Sequence, residues 1–351
     1  MLTIEKQHPS CADEIRAVLA DLGDSTTIIG HHYQIDEVID HTDLQGDSLA
    51  LARMTATLPA RNIVFCGVYF MAESSALLAR PDQVVYLPEP SAECVMATMS
   101  PAAELERIFG EASASGRTIV PVTYVNSTLE VKAFVGRHGG SVCTSANARK
   151  VLEWALGKGD AVFFVPDRNL GANTARSLGF SDEQQYLLPV REKEGPFDRA
   201  RADACPVLLW PGFCPIHTRF NVRQIEGIRE QYPEVRVIVH PECTPEVVSA
   251  ADAAGSTAFI IREAEAAPQG STLAVGTEIH LVERLAARYR GTKTVVPLVE
   301  SECTHMAQTT GQSLLAALLD IRAGGTAFVV HAPEELGVDA KSALDAMLQI
   351  S

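Results

Sequence analysis

Apolar residues in this chain gather in short, unalternating runs rich in β-branched side chains. IIG, IVFCGV, VVYL, IVPVTYV, AVFFV, VLLW, VRVIV, LAVG, VVPLV and FVVH are the runs. A strand that is apolar on both faces is buried on both, as in a parallel sheet covered by helices. Between the runs, stretches such as CADEIRAVLADLG, SPAAELERIFG, NSTLEVKAF and TPEVVSAADAAG carry helical signals. Gly23 is the expected C-cap of the first. Ser100 is the expected N-cap of the second, with Pro101 in its first turn. Ser127 and Glu130 have capping-box spacing. Pro245 opens the fourth helix and Gly255 follows its expected end. Strand and helix alternate throughout, which predicts an α/β protein.

One layout of strand, polar signature, helix start and isolated cysteine occurs three times. The first pass closes at Cys94, the second at Cys214 and the third at Cys303. Self-similarity on this scale means one structural unit used repeatedly. Three α/β units are predicted at 1–99, 100–220 and 221–303, with residues 304–351 packing back on the first. Residues 181–204, SDEQQYLLPVREKEGPFDRARADA, are the least patterned in the chain and read as an insertion or exposed excursion.

Composition narrows the function classes. The 351 residues carry a net charge of −15, which disfavours a nucleic-acid partner, because tracking phosphates needs clustered Lys and Arg. No apolar run is long enough for a membrane span. The N-terminal segment lacks the apolar stretch of a signal peptide, so a cytoplasmic location is expected. In that compartment the eight cysteines stay reduced. None of them forms a CxxC pair, which argues against a zinc ribbon, a bacterial ferredoxin run and a thioredoxin motif.

In open parallel sheets, ligands bind beyond the carboxyl ends of the strands. There the first strand of each unit is followed by His31-His32-Tyr33, Thr123-Tyr124-Val125-Asn126 and His240-Pro241-Glu242. A second set follows: Gly46-Asp47-Ser48, Thr144-Ser145-Ala146-Asn147 and Gly255-Ser256-Thr257. Each of the second set precedes an apolar helical run. Taken singly, Ser48, Ser145 and Ser256 read as N-caps. Their threefold recurrence instead favours helix starts that bind carboxylates or phosphates. Tyr33 and Tyr124 have the alternative of ordinary core tyrosines.

The cysteines divide in the same way. Cys66 reads as core, Cys11 as the opening of a helix, and Cys205 as lying opposite the active end. Cys143 and Cys243 flank the signatures and are expected to line the cavity without binding metal. Cys94, Cys214 and Cys303 alone share one slot, after the last strand of each unit. Three thiolates fall one short of the four that usually hold a [4Fe–4S] cluster. The remaining iron would be open to act as a Lewis acid, which favours dehydration chemistry. A cluster or zinc sensor without enzymatic activity is the other class, but no DNA-binding motif or basic stripe accompanies it.

In order along the chain stand HHYQ, GDSLALAR, FCGVYFMAE, LPEPSAECVMA, VTYVNST, CTSANA, PDRNLG, WPGFCPIH, HPECTPEV, GST, GTEIHLV and CTHMA. With these motifs the chain resembles the quinolinate synthase family over nearly its whole length. Tyr69, Glu93 and Thr304 depart from the commoner pattern. The resemblance implies three α/β/α sandwiches related by a pseudo-threefold axis around one central cluster. It implies condensation of iminoaspartate with dihydroxyacetone phosphate to quinolinate, phosphate and two waters, and a functional link to an aspartate oxidase. It also implies Cys94, Cys214 and Cys303 as ligands of the [4Fe–4S] cluster. Glu242, Tyr33, His240 and Tyr124 are the implied catalytic groups, with Glu242 as base. Substrate contacts would come from these and from His31, Ser48, Asn126, Ser145, Ser256 and Thr257. An iron–sulfur hydro-lyase acting on another polycarboxylate is the alternative.

Overall fold

The computed structural model describes residues 10–190 and 195–350. The first nine residues of the first predicted unit, and the middle of the 181–204 stretch, lie outside the described residues.

Three parallel sheets form the frame. β1 (Thr26–His31), β2 (Leu44–Gly46), β3 (Asn62–Cys66) and β4 (Val84–Tyr86) form the first, in the order β2-β1-β3-β4. The second contains β5 (Ile119–Tyr124), β6 (Ser141–Cys143), β7 (Ala161–Val165), β8 (Gln185–Leu187) and β9 (Val207–Leu209), in the order β6-β5-β7-β9-β8. In the third, β10 (Arg236–Val239), β11 (Ala253–Ala254), β12 (Thr272–Gly276) and β13 (Thr294–Pro297) run in the order β11-β10-β12-β13. With β8 set aside, the three orders are identical. The central pairing repeats too, with Ile28 opposite Val64, Val122 opposite Phe164 and Ile238 opposite Val275. β7 is buried along its full length, as its unalternating sequence AVFFV requires.

Several local features differ from the sequence reading. The described residues of 181–204 supply β8 and the helix Arg199–Ala204, so the stretch inserts an extra strand into the second sheet. β2, β6, β8 and β11 lack an apolar signature because they are short strands at sheet edges. FVVH forms only an isolated antiparallel bridge, Val329 to Tyr86. Ser100 caps nothing: its helix begins at Ala102, and the Ser100 Oγ is buried without a partner. Ser127 is not a cap either, because its hydroxyl donates to the Tyr124 carbonyl. Pro245 does open a helix, but that helix ends at Ala250 so that β11 can pair before Gly255. Gly23 ends the helix Cys11–Leu22 at a φ of 52°, a conformation that favours glycine.

The C-terminal segment divides between two units. The helix Gly311–Arg322 packs Leu314, Leu318 and Ile321 with Ile15, Val18 and Ile28 of the first unit. The helix Glu334–Ile350 lies instead against the second unit, with Ala340 meeting Leu129 and Ala133 of the helix Leu129–Arg137. Gly136 permits that approach, since a Cβ there would stand 1.9 Å from the Asp339 carbonyl oxygen. Among the described residues, no helix is long and apolar enough to cross a membrane.

Candidate active site

Nine side chains, three from at or beyond the strand ends of each sheet, line a single cavity of about 200 Å³. His31, Tyr124 and His240 stand at or just past the ends of β1, β5 and β10. Ser48, Ser145 and Thr257 follow the edge strands β2, β6 and β11. Cys94, Cys214 and Cys303 follow the last strands β4, β9 and β13. Tyr33, Asn126 and Glu242 complete the predicted set on the wall. Ser256 is the exception, because it is spent as an N-cap: its Oγ accepts from the Phe259 N–H at 3.3 Å. Cys143 and Cys243 are also absent from the wall, and both are fully buried among apolar neighbours.

Neither Ser48 nor Ser145 caps the helix start beside it. Asp47, not Ser48, accepts from the Ala50 N–H at 2.9 Å, which leaves Ser48 on the wall. Asn147 accepts from the Thr144 N–H at 2.7 Å, and Ser145 Oγ is 3.2 Å from His240 Nε2.

His217 is the principal residue that sequence reasoning missed. Its ring stacks on that of His240, with centroids 4.4 Å apart and planes inclined by 22°. Its Nδ1 stands 2.5 Å from Glu242 Oε2 and 3.3 Å from Cys214 Sγ. Its Nε2 is 3.1 Å from Thr277 Oγ1, which is 2.7 Å from the Tyr33 hydroxyl. Thr257 donates to the same hydroxyl at 3.1 Å. The available signal was the spacing in CPIH, where the short turn after Cys214 folds a histidine three residues on back over the thiol. Arg219, Glu278 and His305 also reach the wall unforeseen, as do Asp47 and Thr144 of the polar signatures, which were not assigned a site role.

Burial sets the protonation states. It pushes His31 down to about 3 and His240 down as well, so both rings are neutral near pH 7. Burial pushes the Tyr33 and Tyr124 hydroxyls up, so they remain phenols and can donate. For Glu242, burial alone would raise the carboxyl, but His217 and His240 hold it well below the usual carboxylate range. Asn126 Oδ1, Glu242 Oε1 and His305 Nδ1 are buried with no hydrogen-bond partner among the described residues. Such orphaned groups in a cavity wall are atoms a ligand would satisfy.

The donor set also bears on a metal. Burial pushes the Cys94 thiol up to about 12, Cys214 well above its ordinary value with Glu242 adding to it, and Cys303 up. Three thiolates form together here only with a bound cationic group to stabilise them. One tetrahedral ion would draw three sulfurs to about 4 Å from one another, given a metal–sulfur bond near 2.3 Å. The three cysteine sulfurs are not grouped that tightly. Among the described residues, the only group with donor atoms all within 4.8 Å is Cys214, His217 and Glu242. The cysteine trio is therefore not a ready site for one tetrahedral ion, while three soft thiol donors opening on one cavity have the chemistry an iron–sulfur group takes.

The quinolinate synthetase A protein family matches this chain over residues 13–349. The chain belongs to that family. Among curated quinolinate synthases, the one from Corynebacterium glutamicum is 45% identical over 340 residues, covering 96% of this chain and 86% of that protein. The quinolinate synthase of Acidobacterium capsulatum is 41% identical, covering 97% of this chain and 93% of its own. That of Geobacillus kaustophilus is 44% identical, covering 96% and 92%. The quinolinate synthetase A resemblance and the threefold repetition of the sheets therefore agree in this chain.

Proposed function

We propose that this chain is a quinolinate synthase that condenses iminoaspartate with dihydroxyacetone phosphate, releasing phosphate and two waters. Cys94, Cys214 and Cys303 would hold a [4Fe–4S] cluster with one iron left open. One observation carries this reading: the cysteine following the last strand of each sheet opens onto the same cavity. When bound, the cluster supplies a Lewis acid for the loss of water.

The remaining roles belong to the chain's own groups. Glu242, held ionised, has an unpartnered Oε1 to accept a proton during dehydration and tautomerisation. Neutral His31 and His240 and the phenols Tyr33 and Tyr124 orient the substrate by hydrogen bonds rather than by charge. Asn126, Ser48, Ser145 and Thr257 supply neutral contacts to its carboxylates and phosphate. Ser256 acts through the helix start it caps. A fixed polar wall of this kind holds two reactants in one geometry, which replaces a bimolecular encounter with an intramolecular one.

The eight cysteines are all unpaired, which supports a reducing, cytoplasmic setting. An aspartate oxidase is the class of enzyme that would supply the short-lived iminoaspartate. The test is anaerobic reconstitution with iron and sulfide, followed by dihydroxyacetone phosphate and freshly made iminoaspartate, with quinolinate measured by chromatography. Cluster-dependent quinolinate is expected. A fully loaded chain that makes none would instead be a hydro-lyase for another polycarboxylate.

A further inference from the structure

In each sheet, the helix that follows the third strand begins beside the cysteine loop and is fastened to it in the same way. Its first N–H donates to the carbonyl two residues before the cysteine: Tyr69 to Ala92 at 2.8 Å, Arg168 to Gly212 at 2.9 Å and Ile279 to Ser301 at 3.0 Å. The N-cap positions just before these donors are Val68, Asp167 and Glu278. Here the three units part. Asp167 Oδ1 accepts from the Asn169 and Leu170 N–H groups at 2.7 and 2.8 Å, while its Oδ2 accepts from the Cys214 N–H at 3.2 Å. Glu278 Oε2 accepts from the His280 N–H at 2.9 Å. Its Oε1 accepts from the Cys303 N–H at 3.3 Å and lies 2.8 Å from His280 Nδ1. Val68 offers Cys94 no such acceptor.

Both carboxylates are fully buried, a costly arrangement unless their oxygens are satisfied. Helix capping alone does not require it, because Asn or Ser caps about as well with one oxygen. Only a carboxylate has two acceptor oxygens, one for the helix start and one for the cysteine loop. We propose that Asp167 and Glu278 are positioning residues that hold the Cys214 and Cys303 loops in the form that ligates the cluster. This rests on the cysteine assignment above. Carboxamides at these places keep size and, with their single acceptor oxygen on the helix start, keep the cap while turning an NH₂ toward the cysteine N–H. The cysteine loop is then untethered while the fold persists.

The test compares Asp167→Asn and Glu278→Gln with Asp198→Asn, a substitution at the N-cap of the helix Arg199–Ala204, whose side chain accepts, among the described residues, from the Arg201 N–H alone. Each reconstituted protein is exposed to excess EDTA and iron release is followed by loss of the cluster's visible absorbance. The thermal midpoint of each cluster-free chain is measured alongside. Expected is iron release about tenfold faster or more in Asp167→Asn and Glu278→Gln, the range for a group that orients a metal ligand. Asp198→Asn should release at the wild-type rate, and all cluster-free midpoints should agree. If the two variants release iron at the wild-type rate from a fully loaded chain, this proposal fails and the cysteine assignment stands. Midpoints that fall in step with iron release would make the carboxylates merely structural and also overturn it. A wild-type chain that takes up no iron removes the cysteine assignment, and the proposal with it.

Discussion

His217 Nδ1 lies 2.5 Å from Glu242 Oε2, and both side chains are almost completely buried. That contact fixes the imidazole: with its Nδ1 proton on the carboxylate, Nε2 is left to accept from Thr277. A directed chain of hydrogen bonds then runs from Thr257 to Tyr33, Thr277, His217 and Glu242. It draws on the first, second and third sheets' units and ends on the carboxylate assigned as base.

Glu242→Gln keeps the shape of this arrangement and removes the base. Quinolinate formation should fall by about 100-fold or more, the usual contribution of a positioned general base. Iron content and visible absorbance should match the wild type, because the cysteines are untouched. Turnover within a few-fold of normal would take the base role away from Glu242.

Thr277→Val interrupts the chain between Tyr33 and His217 without touching a residue assigned to substrate or cluster. The expected effect is smaller than for Glu242, about tenfold in kcat, since His217 still meets Glu242 directly. The check is steady-state kinetics with iron content measured in parallel. An unchanged kcat would mean that the hydrogen bonds from Tyr33 to His217 serve only to pack the site.

Cys214→Ser should prevent assembly of a [4Fe–4S] centre, and Cys94→Ser and Cys303→Ser should do the same. Serine leaves an alcohol in place of a thiol that a bound cluster would deprotonate. Iron and sulfide analysis after reconstitution decides it. A full complement in any one variant would strike that residue from the ligand set.

The repeated frame was legible because strands such as AVFFV and VRVIV are buried on both faces and cannot hide their apolar sequence. The edge strands were not, for β2 exposes Leu44 and Gln45, and β8 sits in a stretch whose alternation is masked by charge. Twelve predicted site residues reached one cavity because each lies at or beyond the carboxyl end of a strand in one of three like-ordered parallel sheets, and that end dictates where such residues point. His217 escaped because it has no counterpart in the other units and owes its place to a tight turn. Ser256 misled for the opposite reason. It has the right offset, yet a serine preceding a helix satisfies its own backbone first.

His31 makes the fold sensitive to acid. Its ordinary value of 6.5 applies in the unfolded chain, whereas burial lowers it to about 3 in the folded one. Below pH 6.5 the unfolded state therefore binds a proton that the folded state refuses, and stability falls as pH drops toward 3. His32, pushed by burial to about 4, acts in the same direction, so the comparison must isolate one ring. Denaturant midpoints of the wild type and His31→Gln at pH 7.5 and about pH 5 should diverge, with the wild type losing more. Equal losses in the two proteins would mean that His31 takes up its proton in the folded chain.

Lys132 is fully buried, with Nζ donating to the Ser127 carbonyl and lying 5.3 Å from the centre of the Phe70 ring. Burial pushes it down to about 8, while Glu73 opposes that shift and is itself raised by burial to about 7. Each group favours the other's charge through space, with no ion pair or hydrogen bond joining them among the described residues, and they stand on the helices Leu129–Arg137 and Tyr69–Leu78. Breaking a buried pair costs more than deleting both members, because the survivor is left charged and unpaired. Glu73→Gln should destabilise the chain, and the double variant Glu73→Gln with Lys132→Met should recover much of that loss. Chemical denaturation of the three proteins measures it. If Glu73→Gln alone is as stable as the wild type, Lys132 is neutral in the folded chain and its hold on the Ser127 carbonyl is that of an amine rather than an ammonium.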